Sequence, residues 1–251
     1  MALITCPDCG RRMPSLLEVC PACGCEIPVW ISAAALRFVA AKQTLPSVAS
    51  AAPYLEVGDR FTMGRWGDDQ VVWRVLAIDS ASEVEPARAL VITDKVIDCV
   101  QYNTTLVQTT WATCSLRTWL NGYFYRKAFN KAERARIVTS GIITPNKPAY
   151  HTRGGASTQD HIFCLSFDEA KRYFKSPIDR VTQPTKKAFE NGVIKQSNDS
   201  ACHWWLRTPG ADQRRATAVG CKGTLGKGSA KEGFEVDTAH VGVRPAMWIE
   251  L

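Results

Sequence analysis

Cys202-His-Trp-Trp-Leu-Arg-Thr-Pro-Gly210 and Gly242-Val-Arg-Pro-Ala-Met-Trp-Ile-Glu-Leu251 frame the last stretch of this chain. Each block sets large apolar residues among polar ones and ends at turn residues, the pattern of a buried strand. Between them, residues 211–240 are rich in Gly, Lys, Arg, Ser, Thr and Asp and poor in large apolar side chains. Two core strands holding a long polar excursion can display a binding surface on a rigid scaffold. The same pattern suits a surface meander with no ligand. If 203–207 is a strand, Trp204 and Trp205 face opposite ways, and the outward one is a candidate stacking platform for a sugar or other ring. Arg207 and Arg244 lie inside otherwise apolar runs. Each needs a carboxylate or carbonyls as partner and is expected to be structural.

Upstream, residues 60–66, 71–78 and 89–93 are β-branched and aromatic and are separated by turn residues, which predicts strands. Gly67-Asp68-Asp69 predicts a hairpin turn between the first two. Residues 115–129 place Leu116, Trp119, Leu120, Tyr123 and Phe124 on one helical face, with Ser115 or Thr113 as cap. Asn130 can cap a helix over 131–138. Ser166-Phe-Asp-Glu169 has capping-box spacing and predicts a helix over 167–175. A fourth helix spans 185–191 and ends at Gly192. Strands, then helices, then strands predict an α+β domain with the chain ends brought into one sheet.

The chain has 251 residues and a formal net charge of +7, which allows one large domain plus a small module. Its first residues hold two near-identical knuckles, Cys6-Pro-Asp-Cys9-Gly10 and Cys20-Pro-Ala-Cys23-Gly24. Two Cys-x-x-Cys turns aim four thiolates at one point and complete a closed tetrahedral site, so Cys6, Cys9, Cys20 and Cys23 are expected to bind one structural zinc ion. So short a ribbon cannot bury a core, and the metal must supply its folding energy. Cys25 is a spare thiol that could replace Cys23. Residues 1–28 are thus read as a zinc ribbon and 29–53 as a linker, with a short alanine-rich helix over 32–42 and a Ser/Ala/Pro-rich tether. Residues 54–251 form the main domain. No basic and apolar leader opens the chain, and its most apolar run, 27–41, is shorter than the roughly 20 residues a bilayer span needs. A cytoplasmic location without membrane contact is expected.

Several blocks in the main domain carry a family resemblance. They are Gly58-Asp59, Trp73-Arg74-Val75-Leu76, Tyr102-Asn103, Thr110-Trp111, Leu116-Arg117-x-Trp119-Leu120-Asn121, Gly154-Gly155, Phe163-x-Leu165-Ser166, Trp204-Trp205-Leu206-Arg207-Thr208-Pro209-Gly210 and Gly242-Val243-Arg244-Pro245-Ala246-x-Trp248. In this order they resemble a bacterial domain-of-unknown-function family, numbered six-two-seven-three, whose members often carry a short N-terminal zinc ribbon. The resemblance implies a C-type-lectin-like fold, a mixed sheet with flanking helices in which the N- and C-terminal strands pair. It also places the ligand surface between the last two blocks. The candidate binding residues are Trp204, Asp212, Gln213, Arg214, Arg215, Thr217, Lys222, Thr224, Lys227, Asp237 and His240, for a protein or a small-molecule or glycan ligand. The chain departs from the family pattern at Ala112, where an acidic residue is common, and in the longer turn 220–229.

Catalytic motifs are missing from the sequence. Residues 220–228 misplace the glycine, lysine and hydroxyl of a phosphate loop, and there is no G-x-S-x-G or H-E-x-x-H. Asp160-His161 reads as a surface pair with no nucleophile. A recognition module without catalytic residues is therefore expected. Two alternatives remain. Arg126, Lys127, Lys131, Arg134, Arg136, Lys147 and Arg153 against Glu133 alone could form one cationic face that, with the ribbon, binds nucleic acid. Cys202 and Cys221 could serve a formylglycine-generating-enzyme-like oxidase, although these cysteines and Cys99, Cys114 and Cys164 read better as buried small hydrophobes.

Overall fold

The computed structural model describes residues 3–5, 12–14, 22–23, 45–48, 55–81, 86–195, 201–225 and 232–251. Cys6, Cys9, Cys20, Cys25, the helix expected over 32–42 and Lys227 lie outside the described residues. The chain separates into two compact units, Met1–Leu45 and Pro46–Leu251. In the first unit, β1 (Leu3–Thr5) and β2 (Arg12–Pro14) pair antiparallel, with Thr5 opposite Arg12.

The second unit is a mixed α+β fold. Its first strands, β3 (Arg60–Trp66) and β4 (Asp69–Asp79), form the expected hairpin around Gly67, whose φ of +64° suits the turn. After β5 (Arg88–Thr93) and β6 (Asp98–Cys99) comes a helical stretch of three parts. These are α1 (Ser115–Trp119), a π-helical turn (Leu120–Phe124) and α2 (Tyr125–Ala128). The cap is Cys114, not Ser115 or Thr113: its Sγ accepts from the Arg117 amide at 3.4 Å. The π turn has more residues per turn than an α-helix. Leu116, Leu120, Phe124 and Ala128, four apart, therefore form the buried stripe, while Tyr123 is turned out to 50% exposure.

The expected capping box at Ser166 forms, and the expected cap at Asn130 forms as a capping box as well. Asn130 and Glu133 open α3 (Lys131–Arg136), and Ser166 and Glu169 open α4 (Phe167–Tyr173). Between these helices lie β7 (Ile137–Val138), β8 (Ser140–Ile142) and β9 (Thr158–Asp160). An unforeseen short helix, α5 (Pro177–Arg180), precedes α6 (Lys186–Glu190), which Thr185 caps. The closing strands are β10 (Trp204–Pro209), β11 (Arg215–Val219), β12 (Phe234–Glu235), β13 (Gly242–Val243) and β14 (Ala246–Glu250).

These strands build two five-stranded sheets, ordered β3-β4-β5-β14-β7 and β12-β11-β10-β13-β6, plus the β8–β9 pair. Only the β10–β13 pairing between these named strands is parallel. The first and last strands of the unit do share a sheet, but they are not neighbours. β14 pairs with β5 through all five of its residues, and the β3–β4 hairpin extends the sheet beyond that pair. The free edge of β3 is covered: the Thr62 amide donates to Pro46 O at 2.8 Å and the Gly64 amide to Glu133 Oε1 at 2.8 Å. Both contacts occupy amides that would otherwise template another strand.

One core joins both sheets. The fully buried indoles each find an acceptor: Trp73 on Met63 O, Trp111 on Asp160, Trp204 on Arg180 O and Trp205 on Val100 O. Close backbone approach explains the Gly154-Gly155 block. A Cβ on Gly154 would lie 2.0 Å from Thr144 O, and Gly155 holds a φ of +95° against Thr110.

Candidate recognition surface

Residues 211–240 are not one open loop. Five of them form β11, which pairs with β10 on one side and β12 on the other. β10 is buried on both faces, so neither Trp204 nor Trp205 is outward. Trp204 meets Phe174 at 6.3 Å and Trp205 meets Tyr102 at 5.6 Å. The expected stacking platform at Trp204 is thus part of the core. Thr217 is buried too, and its hydroxyl donates to Thr208 O at 2.8 Å.

The remaining candidates fall into separate groups. Asp212, Gln213, Arg214 and Arg215 form the tip of the β10–β11 hairpin. There Asp212 Oδ1 accepts from the Arg214 amide at 2.7 Å, a side-chain turn suited to aspartate. Gly210 is required, because a Cβ would sit 2.3 Å from Glu232 O. Arg215 lies between Asp212 (4.0 Å) and Glu235 (3.9 Å) and is half-buried. Lys222 and Thr224 occupy the turn beyond the opposite end of β11. That strand alone is roughly 16 Å long. The turn docks on α5, where Gly223 O accepts from Arg180 Nε at 2.8 Å. Asp237 and His240 lie in the β12–β13 connection. Asp237 O accepts from Gln101 Nε2, and His240 meets the Phe234 ring at 6.2 Å.

The tip is held from outside as well. Thr109 N donates to Gln213 O at 2.8 Å, Thr152 Oγ1 to Ala211 O at 2.9 Å and Val236 N to Arg214 O at 2.9 Å. These bonds bring a second loop, residues 103–109, beside it. Leu106 and Val107 in that loop are 42% and 50% exposed. Sequence reasoning missed this loop, since Thr104-Thr105-Leu106-Val107-Gln108 shows no periodicity. Exposed Asp212 and Arg214 therefore sit on one backbone-anchored hairpin, with exposed Glu235 on the paired strand β12, and loop 103–109 is bonded to these segments at Asn103 and Thr109.

His203, just before β10, meets the same Phe234 ring at 5.1 Å, and its Nδ1 has no partner among the described residues. Burial, with His240 adding to it, holds its pKa below the usual 6.5. Between the folded value and 6.5 the unfolded chain binds a proton that the folded chain does not. Stability that rests on neutral His203 is complete above pH 6.5 and is lost as pH falls through the folded value. His203→Asn is expected to flatten this part of the stability profile. Urea unfolding at about pH 7.5 and about pH 5.5 measures it, and an unchanged slope would assign the acid sensitivity elsewhere.

The two buried arginines are structural ties. Arg207 pairs with Glu169 and donates to Cys164 O and Ile143 O. Arg244 lies against Phe174 and Trp204 and donates to Thr93 O and Asp94 O. Asp160-His161 is not a surface pair. Asp160 is buried and accepts from Trp111, Arg117 and Thr158, whereas His161 stacks on Tyr125 at 4.4 Å. Three of the basic residues of 126–153 are engaged within the domain. Arg134 donates to Phe129 O, Arg136 to Glu250 O, and Lys147 is buried over Phe167. Arg126, Lys127, Lys131 and Arg153 stay exposed.

Burial raises the thiols, Cys99 to about 11 and Cys114 and Cys202 to about 12. Cys202 Sγ is directed to Thr182 O at 3.7 Å. Among the described residues no cluster of His, Cys, Asp and Glu could hold a metal, and no helix is long and apolar enough to cross a membrane.

This is a mixed α+β domain that presents a hairpin tip beside a neighbouring loop. The chain belongs to the family described as Domain of unknown function (DUF6273), which matches residues 87–251. β3 and β4 precede the match. No curated protein and no solved structure matches the chain.

Proposed function

We propose that this protein is a non-catalytic recognition module. In this reading the domain is C-type-lectin-like and offers the β10–β11 tip, with loop 103–109, to a protein or glycan partner. The reading rests chiefly on one observation: Asp212 and Arg214 are exposed on a hairpin whose backbone is anchored from three sides. Such anchoring lowers the ordering cost of binding. The lectin-like assignment draws support from β5 and β14, the first and last strands of the matched segment, which pair with each other. The protonated state of the raised thiols favours binding over thiolate chemistry. Cys6, Cys9, Cys20 and Cys23 would hold a structural zinc in an N-terminal ribbon that serves as tether or adaptor. β1 and β2, which flank Cys6 and Cys9 in sequence, suit such a ribbon. The cytoplasm would suit these cysteines as reduced ligands.

The test starts from a glycan array and cross-linking mass spectrometry with the intact protein. A ligand found there is re-measured against Asp212→Asn/Arg214→Ala/Glu235→Gln, in which the asparagine side chain keeps the acceptor of the side-chain turn. Affinity should fall at least about tenfold with Tm unchanged, in keeping with a few exposed contacts carrying the energy. Undiminished binding would move the surface elsewhere. Lys222→Ala, beyond the far end of β11, serves as the matched control.

A further inference from the structure

We propose that the surface shared by β3, the helical stretch 115–128 and α6 binds single-stranded nucleic acid. Trp119 and Tyr123 would be its stacking ridge, and Arg65, Arg126, Lys127 and Lys187 its phosphate contacts. This site is separate from the hairpin tip and does not depend on the recognition reading.

The geometry begins with two clefts side by side, of about 660 and 640 Å³. Trp119 and Tyr123 line both, so they stand as a ridge between them. Their position follows from the π-helical turn, which takes them out of the buried stripe of Leu116, Leu120 and Phe124. Single π turns inside helices occur often at functional sites. The ridge is held firmly. Trp119 stacks on buried Phe124 at 5.4 Å, and Trp66 meets Trp119 edge-on at 5.5 Å and Tyr123 at 5.9 Å. Trp66 is fixed in turn by its indole N–H, which donates to Asp98 Oδ2 at 2.7 Å. Rings held in this way lose little freedom when a base stacks on them.

Charge points to an anionic ligand. Arg65, Lys127 and Lys187 line one cleft and Arg126 the other. Lys187 carries its ammonium 5.5 Å above the Trp66 ring. None of the four forms an ion pair with a described carboxylate. The one carboxylate lining the clefts, Asp98, is buried and already accepts from Trp66, Asn191 and the Cys99 amide. Arg65 donates to Asp68 O, which leaves its charge without a counter-charge. An aromatic ridge flanked by cations that lack a carboxylate partner is the combination that binds single strands, because every base has a stacking face and every step a phosphate. An acidic peptide would satisfy the cations but brings no ring at each step. A lone nucleotide would fill one cleft and leave the other, with Arg126, unused. Arg65 and Trp66 belong to β3, outside the family match, so this surface draws on a part of the chain that the matched segment lacks.

The intact protein is titrated with a fluorescent oligothymidine about eight nucleotides long, within the usual site size. Four phosphate contacts predict that log K falls against log salt with a slope near about −3. Arg65→Gln/Arg126→Gln/Lys127→Gln/Lys187→Gln should abolish binding. Tyr123→Ala should weaken it about 5- to 100-fold without changing the slope, the range for one stacked base. All these substitutions are at exposed or half-buried positions, and an unchanged Tm confirms that each variant is folded. Three results would each overturn the proposal: no binding at about 50 mM salt, wild-type affinity in both variants, or equal competition by polyglutamate of matched charge. Equal competition by thymidine monophosphate would overturn it as well, since a strand would then add nothing.

Discussion

Arg207→Ala is expected to destabilise the domain by about 3 kcal/mol, seen as a lower urea midpoint with an unchanged m-value. Arg207 is 3% exposed and ties three parts of the chain to β10. Its guanidinium makes two bonds to Glu169 on α4, one of them 2.7 Å. It also donates to Cys164 O at 2.9 Å and to Ile143 O at 3.1 Å. Removing it strands a carboxylate and two carbonyls, and that loss outweighs any gain from relieving a buried charge. The figure sits at the low end for a broken buried pair because the Glu169 side chain is 29% exposed and partly screened. Glu169→Gln should cost less, since an amide oxygen can still accept from the Ser166 amide in the capping box. Arg207→Lys should fall between them, because an ammonium cannot serve carboxylate and carbonyls as a planar fork. A loss under about 1 kcal/mol for Arg207→Ala would mean that the tie is dispensable.

If Cys6, Cys9, Cys20 and Cys23 hold zinc as proposed, its removal is expected to unfold that N-terminal segment outright. A closed four-thiolate site in so short a segment contributes about 10–16 kcal/mol of binding free energy, which is also its folding free energy. The intact protein should hold about one zinc per chain, and strong chelators should release it and make Cys6, Cys9, Cys20 and Cys23 reactive toward thiol reagents. Cys6→Ser should lose the metal. Zinc retained by Cys6→Ser would place the metal at other residues and would reopen the oxidase reading of Cys202 and Cys221.

Local features of the main domain are legible in the amino-acid sequence. The strands at β3, β4 and β5, the turn at Gly67, and the capping boxes of α3 and α4 follow from residues within a few positions of each other. Arg207 is legible as structural because a buried guanidinium must have acceptors, although nothing local names Glu169 as its partner. The helix 115–128 shows the opposite case. A 3.6-residue period puts Trp119 and Tyr123 on the buried face. The π turn adds a residue and moves the buried stripe to Leu116, Leu120 and Phe124, so that Tyr123 is exposed and Trp119 is only partly buried against the core.

The candidate surface divides in the same way. Asp212, Arg214 and Arg215 stand out in the sequence and meet at one tip. Lys222 lies beyond the far end of β11, and Trp204 and Thr217 are interior. β10 reads as a strand with one wet face because alternation alone assigns alternate faces. In the fold it lies between β11 and β13 and is buried on both sides. Loop 103–109 becomes part of the surface only through the bonds from Thr109 to Gln213 and from Asn103 to Val236, more than a hundred residues apart.

The sequence by itself determined the paired Cys-x-x-Cys spacing, the α+β class, most of the caps and the polar character of 211–240, because each depends on side-chain chemistry at short range. Only the tertiary structure decided which polar residues share a face, which tryptophans are covered and where the aromatic ridge stands. Those outcomes depend on strand pairings and packing across the whole unit, where burial competes between distant segments and no local pattern records the result.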